Sequence, residues 1–400
     1  MAAGSPRPVR SQRWRTVARW ACLISFLALA WPLRPESWSA TSLLLPALSP
    51  FIAVGGALAA RTIGLLAVLA LPIIALVWLW PRALCRYVCP VGLLQESVAR
   101  LRPCARRPWL RLPLIGRWFA VATLAGAACG YPLFLWLDPF ALFHGSLNAW
   151  RAPLAATSFV TGLGLPLLLL LEFAWPQLWC RRLCPLGATQ DLVIRLRSRL
   201  RRTAPSAAAA PRPLTCSRRT FVAACAGAAG AVAVPRLRAE APPLRPPGAL
   251  DAGRFTGTCV RCGNCAQVCP SRIIQPDLRS DVAGLLAPRL NFSADFCRED
   301  CQRCQQVCPS GAIARQSLPE KRRAVIGVAR VDPDTCLMAL GRECNACVQR
   351  CPYDALSIVA GPDGFSSQPR VNLTACNGCG ACEAACPALP ARAIVVLART

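Results

Sequence analysis

The sequence predicts two structural classes in one chain: an α-helical membrane domain with four spans, followed by an α+β domain built around cysteine motifs. Three observations carry this expectation. Apolar runs crowd the first half, arginine clusters unevenly between them, and 16 of the 25 cysteines fall between Cys259 and Cys386. The domain boundaries that follow are 1–200 for the helical part, 201–250 for a basic linker with a fifth apolar segment and a Pro-rich spacer, and 251–400 for the cysteine-rich part.

The apolar runs are Trp20–Leu33, Leu43–Ala60, Ile63–Trp80, Trp118–Leu137 and Leu154–Trp179. A spanning helix needs about 20 apolar residues. Pro46, Ser49, Pro50 and the Gly55–Gly56 pair interrupt the second run, which reads as interfacial or re-entrant and leaves four spans. Residues 1–19 hold five arginines, 82–117 eight and 180–219 ten, against the single acids Glu96 and Asp191. The positive-inside rule places those segments in the cytoplasm. The expected location is therefore the bacterial inner membrane, multi-pass, with the lipid bilayer as a partner. Residues 1–250 carry 29 Lys+Arg and 6 Asp+Glu, so most of the net charge of +27 lies there. Basic charge interleaved with long apolar runs points away from nucleic acid.

Two stretches form an internal repeat: "CRYVCPVGLLQ" at Cys85–Gln95 and "CRRLCPLGATQ" at Cys180–Gln190. Both read C-x3-C-P-x-G and lead into a polar helix. Cys85, Cys89, Cys180 and Cys184 together supply four thiolates, the usual ligand set of an iron–sulfur cluster, so one further metal centre is a candidate here. Exposed redox or structural thiols are the alternative. Cys22, Cys104, Cys129, Cys216 and Cys225 have no partner spacing.

Four motifs follow in the second half. They are Cys259, Cys262, Cys265, Cys269; Cys297, Cys301, Cys304, Cys308; Cys336, Cys344, Cys347, Cys351; and Cys376, Cys379, Cys382, Cys386. The first and last read C-x2-C-x2-C-x3-C-P, the bacterial run for 4Fe–4S clusters, and the middle two widen only the first gap. Three cysteines wrap one cubane and the fourth reaches the second of a pair, so four 4Fe–4S clusters are expected in two ferredoxin-like two-cluster units. Sequential and nested pairing of the motifs are both open; nesting would make the two unmodified motifs partners. Short β-like pieces, "VARVD", "ALSIV", "PRVNL" and "AIVVL", flank the last two motifs. His144 is the sole histidine and no C-x-x-C-H occurs, which excludes haem. Histidine is missing from this half, so mixed Cys/His zinc sites are also out.

Residues 214–234 read "LTCSRRTFVAACAGAAGAVAV", the start of a twin-arginine export signal placed mid-chain. It would carry the folded cluster domain outward, with Pro235–Pro247 as a spacer; cleavage is conceivable at Ala239–Ala241, but Pro242 directly after it argues against cutting. A plain linker is the competing reading.

Residues of about 15–200, with "LSPFIAVGGALAAR", "LDPFALFHG" and the two repeats, resemble NapH/MauN-type membrane ferredoxins. Residues of about 214–400 resemble NapG/MauM-type ferredoxins, most specifically in "CLMALGRECNACVQRCP". NapH-type proteins carry their own two-cluster segment after the spans, which this chain lacks, and here the two types look fused. The resemblance implies electron transfer from membrane quinol through the clusters to an extracytoplasmic redox partner of the nitrate-reductase or methylamine-dehydrogenase kind. An electron-supplying maturation factor is the alternative. Candidate proton acceptors are Glu172, Glu96 and Asp191, with Asp138 also considered. Glu172 falls inside an expected span, where a charge costs about 2.5–3.5 kcal/mol. No nucleotide loop or substrate-reductase domain is present, so any catalysis is limited to quinol oxidation within an electron-transfer subunit.

Overall fold

The computed structural model describes residues 9–30, 45–63, 68–101, 111–151, 160–202, 217–236, 242–278, 283–361 and 367–399. Cys104, Cys216 and Ala239–Ala241 lie outside them, as do parts of the first, second, third and fifth apolar runs. The chain divides into two compact units. One comprises residues 1–237 with 256–262 and 309–312; the other comprises 238–255, 263–308 and 313–400.

The first unit is helical: α1 Val9–Ala30, α2 Pro50–Ala60, α3 Leu71–Leu79, α4 Pro90–Leu101, α5 Ile115–Ala128, α6 Pro139–Arg151, α7 Gly164–Ala174, α8 Pro185–Arg202 and α9 Arg218–Arg236. The expected four-span membrane domain is not what forms: among the described residues, no helix is long and apolar enough to cross a membrane. The reason lies in the breaks. The helices inside the apolar runs hold 11, 9, 14 and 11 residues. At about 1.5 Å per residue the longest of them rises roughly 21 Å, short of about 30 Å of hydrocarbon. Arg61 ends α2 in a left-handed conformation, extended Trp80 ends α3, and Gly130, with φ of 92°, follows α5. The 22-residue α1 is longer but carries Arg10, Arg13, Arg15 and Arg19. The expected multi-pass inner-membrane location, with the cluster domain outside, loses its basis with the spans.

The apolar residues pack on one another instead. Leu23, Phe51, Ile52, Leu84, Val91, Leu135, Phe140, Trp179 and Leu186 share one core. The Ala/Gly-rich stretch that resembles an export signal is α9, which packs on α5. At Gly227 an added Cβ would sit 2.2 Å from the Ala122 carbonyl oxygen, so only glycine permits the two backbones to approach. Small residues here are explained by helix packing.

Among its described residues the second unit contains three two-stranded antiparallel sheets: β1 Ile274–Pro276 with β2 Pro288–Leu290, β3 Val328–Val331 with β6 Ile394–Leu397, and β4 Leu356–Ala360 with β5 Ser367–Val371. The expected pieces around the last two motifs are β3 to β6. Their pairing is an outer pair enclosing an inner one, Val328 opposite Leu397 and Leu356 opposite Val371. The third motif lies between β3 and β4, the fourth between β5 and β6. The second motif and the Cys265–Cys269 part of the first sit in a similar frame, with β1–β2 as the inner pair and an isolated Ala249–Ile313 bridge as the outer one. The α+β cluster domain thus uses one topology twice.

Candidate metal centres

In the second unit the cysteines regroup across neighbouring motifs. Cys269, the fourth of its motif, lies within electrostatic reach of Cys297, Cys301 and Cys304. Asn264 in the first motif donates to the Val307 carbonyl at 3.3 Å, which holds the residue beside Cys308. Cys351 lies with Cys376, Cys379 and Cys382. Cys347 lies with Cys344 and Cys336, and Cys386 packs against the small cluster of Cys336, Ala388 and Ala393. Cys269 and Cys351, the fourth cysteines of their motifs, thus lie among cysteines of the following motif, as sequential exchange requires. The physical reason is topological: each outer strand pair or bridge encloses two consecutive motifs.

The donor chemistry fits iron–sulfur clusters. Burial pushes the thiols of Cys297, Cys347 and Cys379 up to about 11 and that of Cys382 to about 12, so these sulfurs are poor anions until a metal replaces the proton. Backbone N–H groups turn toward the fourth cysteines, from Ile313 to Cys308 Sγ at 3.4 Å and from Ala355 to Cys351 Sγ at 3.3 Å. Prolines after those cysteines stop a helix from growing back across the loop. Gly380 takes φ of 85°, and a Cβ there would meet the Phe292 ring at 2.2 Å. Among the described residues no three His, Cys, Asp or Glu side chains converge as ligands of a single ion.

One residue in this unit escaped sequence reasoning. Lys321 is the chain's only lysine and is 2% exposed. Its Nζ donates to the Arg298 carbonyl and faces Cys297 and Cys304. The signal was its singularity in a chain that otherwise uses arginine. Cys297 N–H also donates to the Cys379 carbonyl at 2.9 Å, joining the second motif to the fourth.

In the first unit, one cavity of about 660 Å³ gathers residues that sequence reasoning had nominated separately. Cys85, Cys89, Cys180 and Cys184 line it, and so do Glu96, Glu172 and Asp191. Each C-x3-C segment closes a π-helical turn, Leu84–Val88 and Trp179–Leu183, a form that recurs at functional sites. Burial holds the Cys85 thiol up at about 11 and that of Cys89 at about 12, and also raises those of Cys180 and Cys184. Asp191 is held by Arg82 through two bonds of 2.7 Å. Glu96 pairs with Arg19 and Arg100; burial would raise its carboxyl, but the arginine hydrogen bonds outweigh it and hold it below the ordinary value. Glu172 is 1% exposed and accepts the Gln177 N–H at 2.5 Å. Asp138 is fully buried and caps α6, accepting from Phe140 N–H at 2.8 Å and from Ser49 Oγ at 2.5 Å; burial pushes its carboxyl up to about 6.

Comparison with known proteins finds iron–sulfur family models along the chain. A family described as a 4Fe-4S dicluster domain matches residues 258–312 and 297–355, a second family of the same description matches 341–390, and a 4Fe-4S binding domain matches 61–113 and 157–203. The class is therefore a ferredoxin-type protein that carries 4Fe–4S clusters. The methylamine utilization ferredoxin-type protein MauM of Methylobacillus flagellatus is 40% identical over 163 residues, 39% of this chain and 68% of that protein. The ferredoxin-type protein NapG of Escherichia coli is 35% identical over 161 residues, 37% of this chain and 68% of that protein. MauM of Paracoccus denitrificans is 35% identical over 173 residues, 41% and 76% respectively. The chain belongs to the family of ferredoxin-type proteins represented by MauM and NapG. These likenesses fall in its C-terminal part and lend no support to a fused NapH-type membrane protein. No solved structure matches the chain.

Proposed function

We propose that the chain is an iron–sulfur electron relay serving a redox partner of the nitrate-reductase or methylamine-dehydrogenase kind, with its sixteen motif cysteines holding four 4Fe–4S clusters. The observation that carries this reading is the placement of the fourth cysteines beside the next motif, Cys269 near Cys297, Cys301 and Cys304 and Cys351 near Cys376, Cys379 and Cys382. Such clusters accept and release single electrons at potentials set by charge, hydrogen bonds and exposure. The chain's own part is to hold them close together in buried loops. The Cys297 N–H to Cys379 carbonyl bond makes the second and fourth motifs the contact between the two two-cluster halves.

In this reading the electrons come from a quinol, which also releases two protons. Glu172, the buried carboxyl that lines the same cavity, is the proposed proton acceptor. The test is anaerobic reduction of the purified chain by a quinol with a dye acceptor downstream. Repeated turnover that falls at least tenfold in Glu172→Gln supports the reading. Wild-type rates in that variant remove Glu172, and a chain never reduced by quinol removes the donor while leaving the relay to be judged by its iron.

A further inference from the structure

The two C-x3-C-P segments correspond position by position. Arg82 and Gln177 both take left-handed conformations, with φ of 54° and 67°. Cys85 and Cys180 lie within the π-helical turns, Cys89 and Cys184 follow them in extended conformation, and Pro90 and Pro185 open α4 and α8. Ten residues beyond the first cysteines stand Gln95 and Gln190, 2% and 1% exposed.

These glutamines cross over. Gln190 Nε2 of the second repeat donates to Cys85 Sγ of the first at 3.0 Å, and Cys180 Sγ of the second donates to Gln95 Oε1 of the first at 2.6 Å. Gly187 of the second repeat faces the same Cys85 sulfur, and a Cβ there would lie 4.0 Å from it. Each repeat therefore completes the surroundings of the other's cysteine. The two stretches that match a 4Fe-4S binding domain contain one cysteine pair each, too few ligands for a cubane alone.

We propose that Cys85, Cys89, Cys180 and Cys184 hold one 4Fe–4S cluster shared between the two repeats, with Gln95 and Gln190 acting as crossed hydrogen-bond partners of its ligand sulfurs. The cavity that the four cysteines and Gln95 line is roomy, and Arg15, Arg19, Arg82, Arg86 and Arg181 also line it. A cubane on four thiolates is a net anion, and these five arginines outnumber the three carboxylates Glu96, Glu172 and Asp191 on the same wall. The four cysteines carry no disulfide. Once Cys180 gives up its proton to bind iron, a half-turn of the Gln95 amide presents its NH₂ to the sulfur, making both repeats alike. This inference is independent of the sixteen-cysteine relay.

The test compares iron and acid-labile sulfide in the anaerobically purified full chain with Cys85→Ala/Cys180→Ala. The double variant should lose about four irons and four sulfides per chain and one spectral component by Mössbauer or EPR spectroscopy, while Cys129→Ala loses none. Because the double variant could misfold, Gln95→Leu/Gln190→Leu is the second arm: the iron stays and the midpoint potential of that one component moves. Unchanged iron in a folded cysteine variant overturns the inference, as does a glutamine variant in which every component keeps its potential. Loss of the other components instead would indict the ferredoxin loops and leave this site refuted.

Discussion

The two cysteine regions use the same ligand chemistry with opposite chain economy. In the ferredoxin-type unit, three sulfurs of a set come from one short loop and the fourth from a neighbouring motif, as with Cys376, Cys379, Cys382 and Cys351. In the helical unit the ligands come two and two from repeats whose first cysteines, Cys85 and Cys180, stand 95 residues apart. The first arrangement needs little beyond a local loop and a strand pair. The second exists only if the helices pack correctly. The local sets should therefore fail singly when one ligand is lost, and the shared set should respond to packing changes in either repeat.

The largest effect that can break this comparison is the loss of an exchanged ligand. Cys351→Ala belongs to the third motif in sequence but should remove the same spectral component as Cys376→Ala, and cut electron flux through the chain at least tenfold. If it instead removes the component lost in Cys336→Ala, the sequential exchange is wrong. Next comes Lys321→Met, which deletes a buried positive charge facing Cys297 and Cys304 while keeping volume. The potential of that cluster should fall by on the order of 100 mV with iron content unchanged. A redox titration in which all potentials stay put would deny Lys321 that role.

Smaller effects sharpen the account of the helical unit. Asp138 has its carboxyl pushed up to about 6 by burial, so the folded state holds a proton that the unfolded chain releases nearer pH 4. Stability should decline as pH rises through that window and level off above it. Asp138→Asn keeps an acceptor for the α6 cap and should abolish the decline, a difference on the order of 3 kcal/mol by denaturant titration at two pH values. The smallest expected change is Arg82→Ala. The pair with Asp191 is bidentate but its guanidinium is 41% exposed, so about 1 kcal/mol should be lost.

Much of the cluster domain was legible because its chemistry is written in spacing. C-x2-C-x2-C-x3-C-P fixes ligands without reference to the rest of the chain, and the alternating pieces beside it became β3 to β6. Pairing was not legible, since it depends on which strand pair encloses which motifs. The membrane expectation failed for a related reason. Hydropathy counts apolar residues but not helical continuity, and Arg61, Pro72, Gly130 and Pro166 divide the runs into short helices packed on one another. Gln95 and Gln190 were visible as the last letters of the repeated stretches, but their crossing is a tertiary fact.

The central claim is that every cysteine set here is a site for an iron–sulfur cubane. Iron, sulfide and zinc counted together on the anaerobically purified full chain test it most directly. The account predicts about twenty irons and twenty sulfides per chain, four for each of four ferredoxin-type sets and four for the shared set, with no zinc. A chain that holds stoichiometric zinc, or iron without sulfide, would contradict it.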